Sequence, residues 1–365
     1  MRLFFFRIEI MDRVQLLKII EAGIHAPSGE NCQPWRFEVR GDGELALYNL
    51  PERDDSLYSW GQRASYFAHG ALLENIRIAA SHYGFDMRSQ LFPEGHESNL
   101  VALIQFTSRE AGAEPLFESI FKRTTNRKPY KKVDITDETK KWLTDGVDDS
   151  VKIILTTDKG AIKTVANAAA SNERVIFENK LMHGFFFNHI NWTKAEDDKK
   201  SIGFYIDTLE LPPPVKVLFK LFRRWPVMRV LGMVGFPRFV ALGNGQLYAS
   251  GSLVGAVVID DETPEHFVRA GMVAEHIWLN TTKLGLSFQP LAGLIYLFLR
   301  VKHGDLAAFE HKHIHLMQKG YLDIQKTLHI ENKTIAFMFR IGDGGEPTAR
   351  ATRLHTAGFV SYQTS

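Results

Sequence analysis

The sequence contains a single cysteine, Cys32, among its 365 residues. One cysteine excludes an intramolecular disulfide and any zinc site built from several thiolates. This usage is consistent with a reducing compartment, so we expect a cytoplasmic protein. A strong excess of one charge is also missing, because 44 Lys and Arg against 42 Asp and Glu give a formal net charge of +2. This nearly even balance of basic and acidic residues gives no electrostatic indication of nucleic-acid binding.

Long apolar runs are absent as well. The first ten residues, MRLFFFRIEI, place only three phenylalanines between Arg2 and Arg7, which is too short for a signal-peptide core. The uncharged stretch 284–299 is interrupted by Pro290 and Gly293. A membrane-spanning helix needs about 20 consecutive apolar residues. We therefore expect a soluble protein with no membrane span, and a buried element at 284–299.

The composition is that of a folded globular protein, with 45% hydrophobic and 24% charged residues. The length is comfortable for two domains. Apolar spacing predicts a helix over 11–24 with Asp12 as its N-cap, and a long helix over about 62–83. Alternating residues on either side of Gly41-Asp42-Gly43 predict a β-hairpin, and 99–106 reads as a strand.

The second half of the chain repeats this order of elements. It predicts a helix starting near Thr136, a strand over 151–157, a long helix over 264–284 and a strand over 333–342. A shift of 201 positions aligns the two long helices; the aligned pairs are Gly70 with Gly271, Glu74 with Glu275, Ile76 with Ile277, Ile78 with Leu279 and Gly84 with Gly285. We interpret this as a duplication, with halves at 1–115 and 116–365 and an insertion at 184–245 that the first half lacks.

The most informative motif follows the first helix. Residues 26–35 read APSGENCQPW. Pro27 and Gly29 bend the chain, and Ser28 and Asn31 offer short donors and acceptors. The string resembles the A-P-S-x-x-N-x-Q-P-W signature of FMN-dependent nitroreductases. The resemblance implies that Pro27, Ser28, Asn31 and Gln33 contact a flavin.

A second motif, Lys122-Arg123-Thr124-Thr125-Asn126-Arg127, precedes the helix of the second half. Two guanidiniums with a hydroxyl between them suit a phosphate dianion. It is similar to the R-R-S-x-R string that holds the FMN phosphate in nitroreductases, which the N-terminus of this chain lacks. By resemblance we assign Arg123, Thr125 and Arg127 to the phosphate. Each half then carries what the other lacks.

This arrangement resembles the tandem, Acg-like branch of the nitroreductase superfamily. The branch implies an α+β fold: a three-layer α/β/α sandwich built as a pseudo-dimer of two similar halves with antiparallel-rich sheets and an inserted lid. It also implies further cofactor contacts, from the segment after the second long helix and from the tail; these are Gln289, Pro290, Leu291, Ala292, Gly293, Arg350 and Arg353.

Simpler interpretations remain open for several of these residues. Ser28 and Asn31 could cap a turn, and Arg123 and Arg127 could form a solvated basic face. The alternating His311, His313 and His315 could bind a metal, but a solvated face is the preferred interpretation. The basic, apolar stretch 215–239 could lie on a membrane surface, although we favour a lid over the cofactor.

The resemblance implies an oxidoreductase whose chemistry is carried by FMN, so no protein residue is assigned as catalytic and no metal is expected. FMN would take a hydride from NADH or NADPH and pass electrons to a small molecule such as a nitroaromatic, a quinone or an activated alkene. The alternative is a protein that stores FMN beneath an occluding lid. A tandem chain could be a monomer or form a homodimer.

Overall fold

The computed structural model describes residues 11–40, 44–109, 112–147, 151–330 and 332–363. The N-terminal segment with Arg2 and Arg7, and the predicted turn Gly41-Asp42-Gly43, lie outside the described residues. The helices are α1 (Arg13–Ile24), α2 (Arg63–His82), α3 (Phe117–Lys122), α4 (Asp137–Leu143), α5 (Lys159–Ala169), α6 (Ser171–Glu178), α7 (Lys180–Asn188), α8 (Lys194–Lys200), α9 (Pro213–Phe222), α10 (Trp225–Met233), α11 (Phe236–Ala249), α12 (Pro264–Lys283), α13 (Gly293–Lys302) and α14 (His311–Thr327). The strands are β1 (Trp35–Val39), β2 (Leu45–Asn49), β3 (Phe85–Leu91), β4 (Leu100–Ser108), β5 (Lys152–Thr156), β6 (Ile190–Asn191), β7 (Phe204–Tyr205), β8 (Leu253–Ile259), β9 (Ser287–Pro290), β10 (Thr334–Gly342) and β11 (Val360–Tyr362).

Helix α1 begins where the sequence predicts. The Asp12 carboxylate accepts from the Gln15 backbone N–H at 2.7 Å, and the Gln15 side chain accepts from the Asp12 N–H at 3.1 Å. This reciprocal pair satisfies two of the amides that a helix start leaves without partners. Thr136 caps α4 in the simpler way, by accepting from the Thr139 N–H.

The first sheet has the strand order β11-β1-β2-β4-β3. Strands β1 and β2 pair antiparallel, which confirms the predicted hairpin pairing on both sides of its turn. Strand β3 was not predicted; only its first residue, Phe85, is fully buried, and the alternation of Phe85, Met87 and Leu91 is interrupted by Ser89. The last strand, β11, returns from the end of the chain and pairs parallel with β1. The first sheet is therefore completed by residues outside the predicted first half.

The second sheet has the order β5-β8-β10-β9 and is antiparallel throughout. Every residue of β8 and β10 is buried. Strands buried on both faces need a layer on each side, and here α12 contacts the sheet together with α5 and α13. The predicted α+β class with antiparallel-rich sheets is confirmed.

The two long helices pack directly against each other at two glycines. A Cβ on Gly70 would lie 1.8 Å from the carbonyl oxygen of Val268, and a Cβ on Gly271 would lie 1.9 Å from that of Phe67. Both contacts obey the 201-residue shift found in the sequence, since 67 and 268 are also 201 apart. Only glycine permits two helix backbones to approach this closely.

The same crossing buries two carboxylates. Glu74 accepts a hydrogen bond from His276 Nδ1 at 2.6 Å and two from the Arg77 guanidinium. Burial raises the pKa of Glu74, but the hydrogen bonds from His276 and Arg77 outweigh it and lower the pKa overall. The corresponding carboxylate, Glu275, pairs with Arg123. Both glutamates are therefore held in buried pairs at the helix crossing.

The insertion, 184–245, forms part of α7, the short strands β6 and β7, and helices α8 to α11. Among the described residues no single helix meets the length and hydropathy of a membrane span, although α10 and α11 meet them jointly with an 87° bend between them. His311, His313 and His315 lie on α14, where His313 is fully buried. The expectation of a solvated face is therefore wrong for His313. Within the described ranges no group of three metal-ligating side chains occurs.

Candidate functional site

Two adjoining cavities lie where the predicted halves meet. The larger has a volume of about 310 Å³ and the smaller about 170 Å³. Both are lined by Pro27, Ser28, Thr125, Arg127 and Phe204. The nitroreductase-like motif of the first half and the arginine motif of the second therefore face a common space.

The apolar cavity, the larger one, is lined mainly by aromatic and aliphatic side chains; they include Phe67, Phe186, Phe204, Trp278, Leu291, Tyr296 and Phe337. The basic cavity, the smaller one, is lined by Arg123, Arg127, Arg350 and Arg353 together with Thr124, Thr125, Ser28 and Asn31. An apolar space beside a cationic one suits a ligand with a flat ring at one end and an anionic group at the other.

The loop that carries the first motif is held in an unfavourable backbone conformation. Glu30, Asn31 and Gln33 have φ angles of 45°, 55° and 51°, in the left-handed region that side chains other than glycine rarely adopt. Such conformations persist only where surrounding contacts impose them. Here the contacts come from a distant segment, since the side-chain amides of Asn31 and Gln33 both donate to the carbonyl oxygen of Ser201, at 3.1 and 2.7 Å.

These hydrogen bonds separate the roles of the predicted motif residues. Pro27 and Ser28 line both cavities, although the Ser28 hydroxyl already accepts from the Gln33 N–H at 3.0 Å. Asn31 lines the basic cavity. Gln33 is fully buried and lines neither cavity, and its side-chain oxygen accepts from the Leu354 N–H. Gln33 therefore holds the loop against the tail.

Among the four arginines that line the basic cavity, Arg127 has the most hydrogen-bond donors without a partner. Its Nη1 donates to the carbonyl oxygen of Thr208 at 2.9 Å, and its guanidinium lies 5.5 Å from the Phe204 ring centre. No hydrogen bond to another described residue occupies Nε or Nη2. Burial lowers the pKa of Arg127. A half-buried guanidinium with free donors, facing both cavities, is suited to an anionic ligand.

Arg353 and Arg123 are held by the protein itself. Arg353 donates to the carbonyl oxygens of Ile24 and His25 and to Asn31 Oδ1 at 2.9 Å. Arg123 pairs with Glu275 at 3.1 Å, donates to the His25 carbonyl oxygen, and lies 4.4 Å from the Trp278 ring centre. Both side chains therefore tie α1 to other parts of the chain while lining the basic cavity.

Arg350 is exposed, and its Nη1 donates to the carbonyl oxygens of Phe121 and Lys122, at 3.1 and 2.7 Å. Of the two tail arginines assigned by resemblance, it is the one whose guanidinium is less fully engaged. Both nevertheless line the basic cavity.

Positive charge is concentrated around the basic cavity. Burial, followed by the charge of Arg123, lowers the pKa of Arg353 to about 9. Burial and the charges of Arg353 and Arg123 lower the pKa of His25 to about 4. Burial also raises the pKa of Glu275 to about 7, against the opposing effect of the same arginines. An anion in this cavity would therefore relieve repulsion between buried cations.

The apolar cavity contains buried polar atoms that lack partners. The Tyr296 hydroxyl, Trp278 Nε1 and Glu173 Oε2 have no hydrogen bond within the described structure. Since an unpaired buried polar atom typically costs about 1–3 kcal/mol, such atoms indicate a place for a ligand or water. Burial and Asp54 raise the pKa of Glu30 to about 8, and burial raises that of Glu173 to about 7. Two carboxyl groups of this cavity thus titrate near neutrality.

The segment Gln289–Gly293 lines the apolar cavity along its whole length. It connects β9 to α13, and no side chain caps α13. The first backbone amides of α13 therefore have no partner within the helix. The Leu291 N–H is already used by the carbonyl oxygen of Met338, and the Gln289 side chain accepts from Arg340. Donors for a ligand are thus expected from Ala292 onward.

The sequence did not indicate several lining residues. Tyr58 donates to Asn172, and Tyr248 donates to Glu173 at 2.7 Å, across the apolar cavity. None of these four belongs to a recognisable motif. Glu30 also lines the apolar cavity and was missed from the sequence, although it lies inside the first motif, at a variable position.

No family model matches the chain. It is 24% identical over 297 residues to the probable NAD(P)H nitroreductase PigM of Serratia sp., covering 74% of this chain and 77% of that protein. It is 26% identical over 153 residues to the putative NAD(P)H nitroreductase acg of Mycobacterium tuberculosis, covering 40% of this chain and 43% of that protein. The resemblance to nitroreductases is confirmed.

A longer match is to the uncharacterized protein MT1398 of M. tuberculosis, 24% identical over 313 residues. The match covers 84% of this chain but only 43% of that protein, so the chain spans less than half the length of this relative. Among solved structures, the FMN-dependent nitroreductase NfnB of Mycobacterium smegmatis, in complex with NADPH, has a TM-score of 0.40 at 10% identity and covers 68% of this chain and 98% of its own. A nitroreductase with bound FMN from Desulfitobacterium hafniense has a TM-score of 0.36 at 12% identity, with 69% and 100% covered.

Proposed function

We propose that this chain binds one FMN across its two halves and acts as an NAD(P)H-dependent oxidoreductase of nitroreductase type. The observation that carries the proposal is the pair of adjoining cavities, one apolar and one basic, which share Pro27, Ser28, Thr125 and Arg127. When bound, FMN supplies the hydride-transfer chemistry, and the protein supplies orientation and electrostatics.

The residues present fit both ends of this cofactor. Arg127 and Arg350, with donors to spare, would hold the phosphate together with Thr125, while Arg123 and Arg353 maintain the positive field. Pro27, Ser28 and the segment Gln289–Gly293 would contact the ring. The unpartnered buried atoms of Trp278, Glu173 and Tyr296 offer further polar contacts at the ring.

We also propose that the chain is a fused pseudo-dimer. The close contacts at Gly70 and Gly271 follow one 201-residue shift and support this origin. In this proposal a single chain supplies the two partners of a nitroreductase dimer, so a monomer would suffice for one site, and a homodimer would add a second copy of it.

The proposed electron donor is NADH or NADPH, and the acceptor is a small nitroaromatic, quinone or similar molecule. The names of PigM and acg and the NADPH bound to NfnB support this class of donor. The protein's part would be to admit donor and acceptor to the ring in turn and to exclude water from it.

The test has two stages. Purified protein is reconstituted with FMN, and binding is measured by quenching of flavin fluorescence. NADH or NADPH is then added without oxygen, and flavin absorbance is followed. We expect stoichiometric binding of one FMN and rapid bleaching. A protein that does not bind FMN would overturn the proposal.

Storage of FMN is the second candidate, and it is favoured by the position of the insertion. Phe186 and Phe204 line the apolar cavity, and Thr208 lines the basic one. These residues could cover a bound flavin and deny access to nicotinamide. Flavin that stays oxidised with NADH and NADPH but is reduced by dithionite would favour storage over catalysis.

A further inference from the structure

Helices α9, α10 and α11 present an exposed surface that the proposed function does not use. It carries half of the sixteen large hydrophobic side chains that are exposed in the described chain. We name it the basic apolar face; its apolar members are Val217, Leu218, Leu221, Val230, Met233, Val234, Phe239 and Leu242. Met233 and Val234 are 76% and 78% exposed. Clusters of this kind on a protein surface mark an interaction site, whereas scattered ones do not.

These helices are also packed on their inner side. Phe219 and Met228 are buried, and α11 contacts α5 and α6. An ordinary surface helix is apolar on one side only. Here apolar residues occupy both the inner and the outer side, so the folding of this chain does not account for the outer ones.

The charge of the face has one sign. Residues 213–249 contain no aspartate or glutamate. Five basic residues on these helices and the turns between them are exposed and have no ion-pair partner among the described residues; they are Lys220, Arg223, Arg224, Arg229 and Arg238. Lys216 is the exception, because it pairs with Asp207 at 2.5 Å. In the sequence, the unpaired basic residues are interspersed with the exposed apolar residues.

We propose that the basic apolar face docks on the surface of an anionic lipid bilayer. The apolar side chains would enter the boundary between headgroups and acyl chains, and the unpaired cations would lie against lipid phosphates. Charge complementarity selects this partner. A second copy of the chain would bring like charges together, which opposes association through this face.

The docking is peripheral. No single helix among the described residues meets the criteria for a span. Helices α10 and α11 are short, meet at an 87° bend and each expose apolar residues, as helices lying in a membrane interface do. Tyr248 at the end of α11 lines the apolar cavity, so a docked face would share this helix with the candidate site. The proposal does not depend on the identity of the ligand in that cavity.

The experiment is co-sedimentation of the full chain with phosphatidylcholine vesicles, prepared with and without phosphatidylglycerol, at low and high salt. Two double variants test the face: Arg223→Gln with Arg224→Gln removes two cations, and Met233→Ser with Val234→Ser removes the most exposed apolar side chains. The matched control, Arg88→Gln with Lys326→Gln, removes two exposed cations from other elements. Circular dichroism checks that each variant is folded.

We expect binding to anionic vesicles only, weakened by salt and reduced about ten-fold or more in both test variants, with the control unchanged. No binding to anionic vesicles at low salt would overturn the proposal. Equal binding to both kinds of vesicle, or equal loss in the control, would remove the role of charge at this face. A wild-type dimer that dissociates in the Met233/Val234 variant would assign the face to self-association instead.

Discussion

At the residue scale, the four arginines of the basic cavity differ in what they already hold. Arg353 and Arg123 are bonded to the carbonyl oxygens at the end of α1, and Arg123 is also paired with Glu275. Arg127 spends one donor on Thr208 and keeps the others. Removing Arg353 or Arg123 would therefore disturb folding, whereas removing Arg127 would mainly disturb a ligand.

Arg127→Ala is expected to weaken FMN binding by about ten-fold or more while the protein stays folded, because a charge-assisted contact with phosphate contributes about 1.5–3 kcal/mol. Fluorescence titration measures the affinity. Arg353→Ala is the contrasting variant, expected to lower the unfolding temperature as well. Unchanged FMN affinity in Arg127→Ala would show that the phosphate lies elsewhere.

Glu30 leads to a prediction about pH. Its pKa is raised from 4.5 to about 8, first by burial and then by Asp54. Between these values the folded state keeps a proton that the unfolded state has lost, so stability falls as pH rises from about 5 to about 8 and levels off above that.

Glu30→Gln is expected to flatten this part of the pH dependence, which urea unfolding at several pH values will measure. Glu173 and Glu275, both raised to about 7, act in the same direction. They remain in the variant, so the difference between the two curves isolates Glu30. Parallel curves for variant and wild type would contradict the prediction.

At the element scale, the crossing of α2 and α12 depends on two glycines. Alanine at Gly70 or Gly271 would place its Cβ less than 2 Å from a backbone oxygen, a clash that moving a side chain cannot relieve. We expect either substitution to cost about 1–3 kcal/mol or more, as overpacking does. Chemical denaturation gives the free energy of unfolding.

Gly184→Ala is the matched control for this prediction. Gly184 lies within α7, and nothing approaches the position of its missing Cβ within 4 Å. Alanine there should stabilise by up to about 1 kcal/mol, because glycine is a poor helix former. If Gly70→Ala behaved like this control, the close helix crossing would be wrong.

At the scale of the whole molecule, the two sheets are linked by the α2–α12 crossing and by β11, which carries the end of the chain to the first sheet. We expect both sheets to unfold in one cooperative transition. Trp35 and Trp278 are both buried, near the first and second sheets. Replacing each in turn by phenylalanine should leave the fluorescence midpoint and the circular-dichroism midpoint coincident. Two separated transitions would show that the halves fold independently.

Local signals in the sequence were sufficient for much of the fold. The Asp12 cap, the apolar spacing of α1, α2 and α12, and the alternation of β1 and β2 depend on neighbours within a few residues, so their bounds were predicted closely. Strand β3 was missed, because this edge strand has only a weak alternation, Phe85, Met87 and Leu91, which Ser89 interrupts. The return of β11 to the first sheet has no local signal either.

By itself, the sequence determined the motif residues that face the two cavities, from Pro27 and Ser28 to Arg127, because their types and spacing are chemical requirements that a motif records. Only the tertiary structure decided which motif residues are free to bind. The Gln33 side chain is already hydrogen-bonded to the backbone of Ser201 and Leu354, which are distant in the chain. It also decided that Tyr58, Glu173 and Tyr296 join the site. Their contribution arises from long-range packing, which no short stretch of sequence encodes.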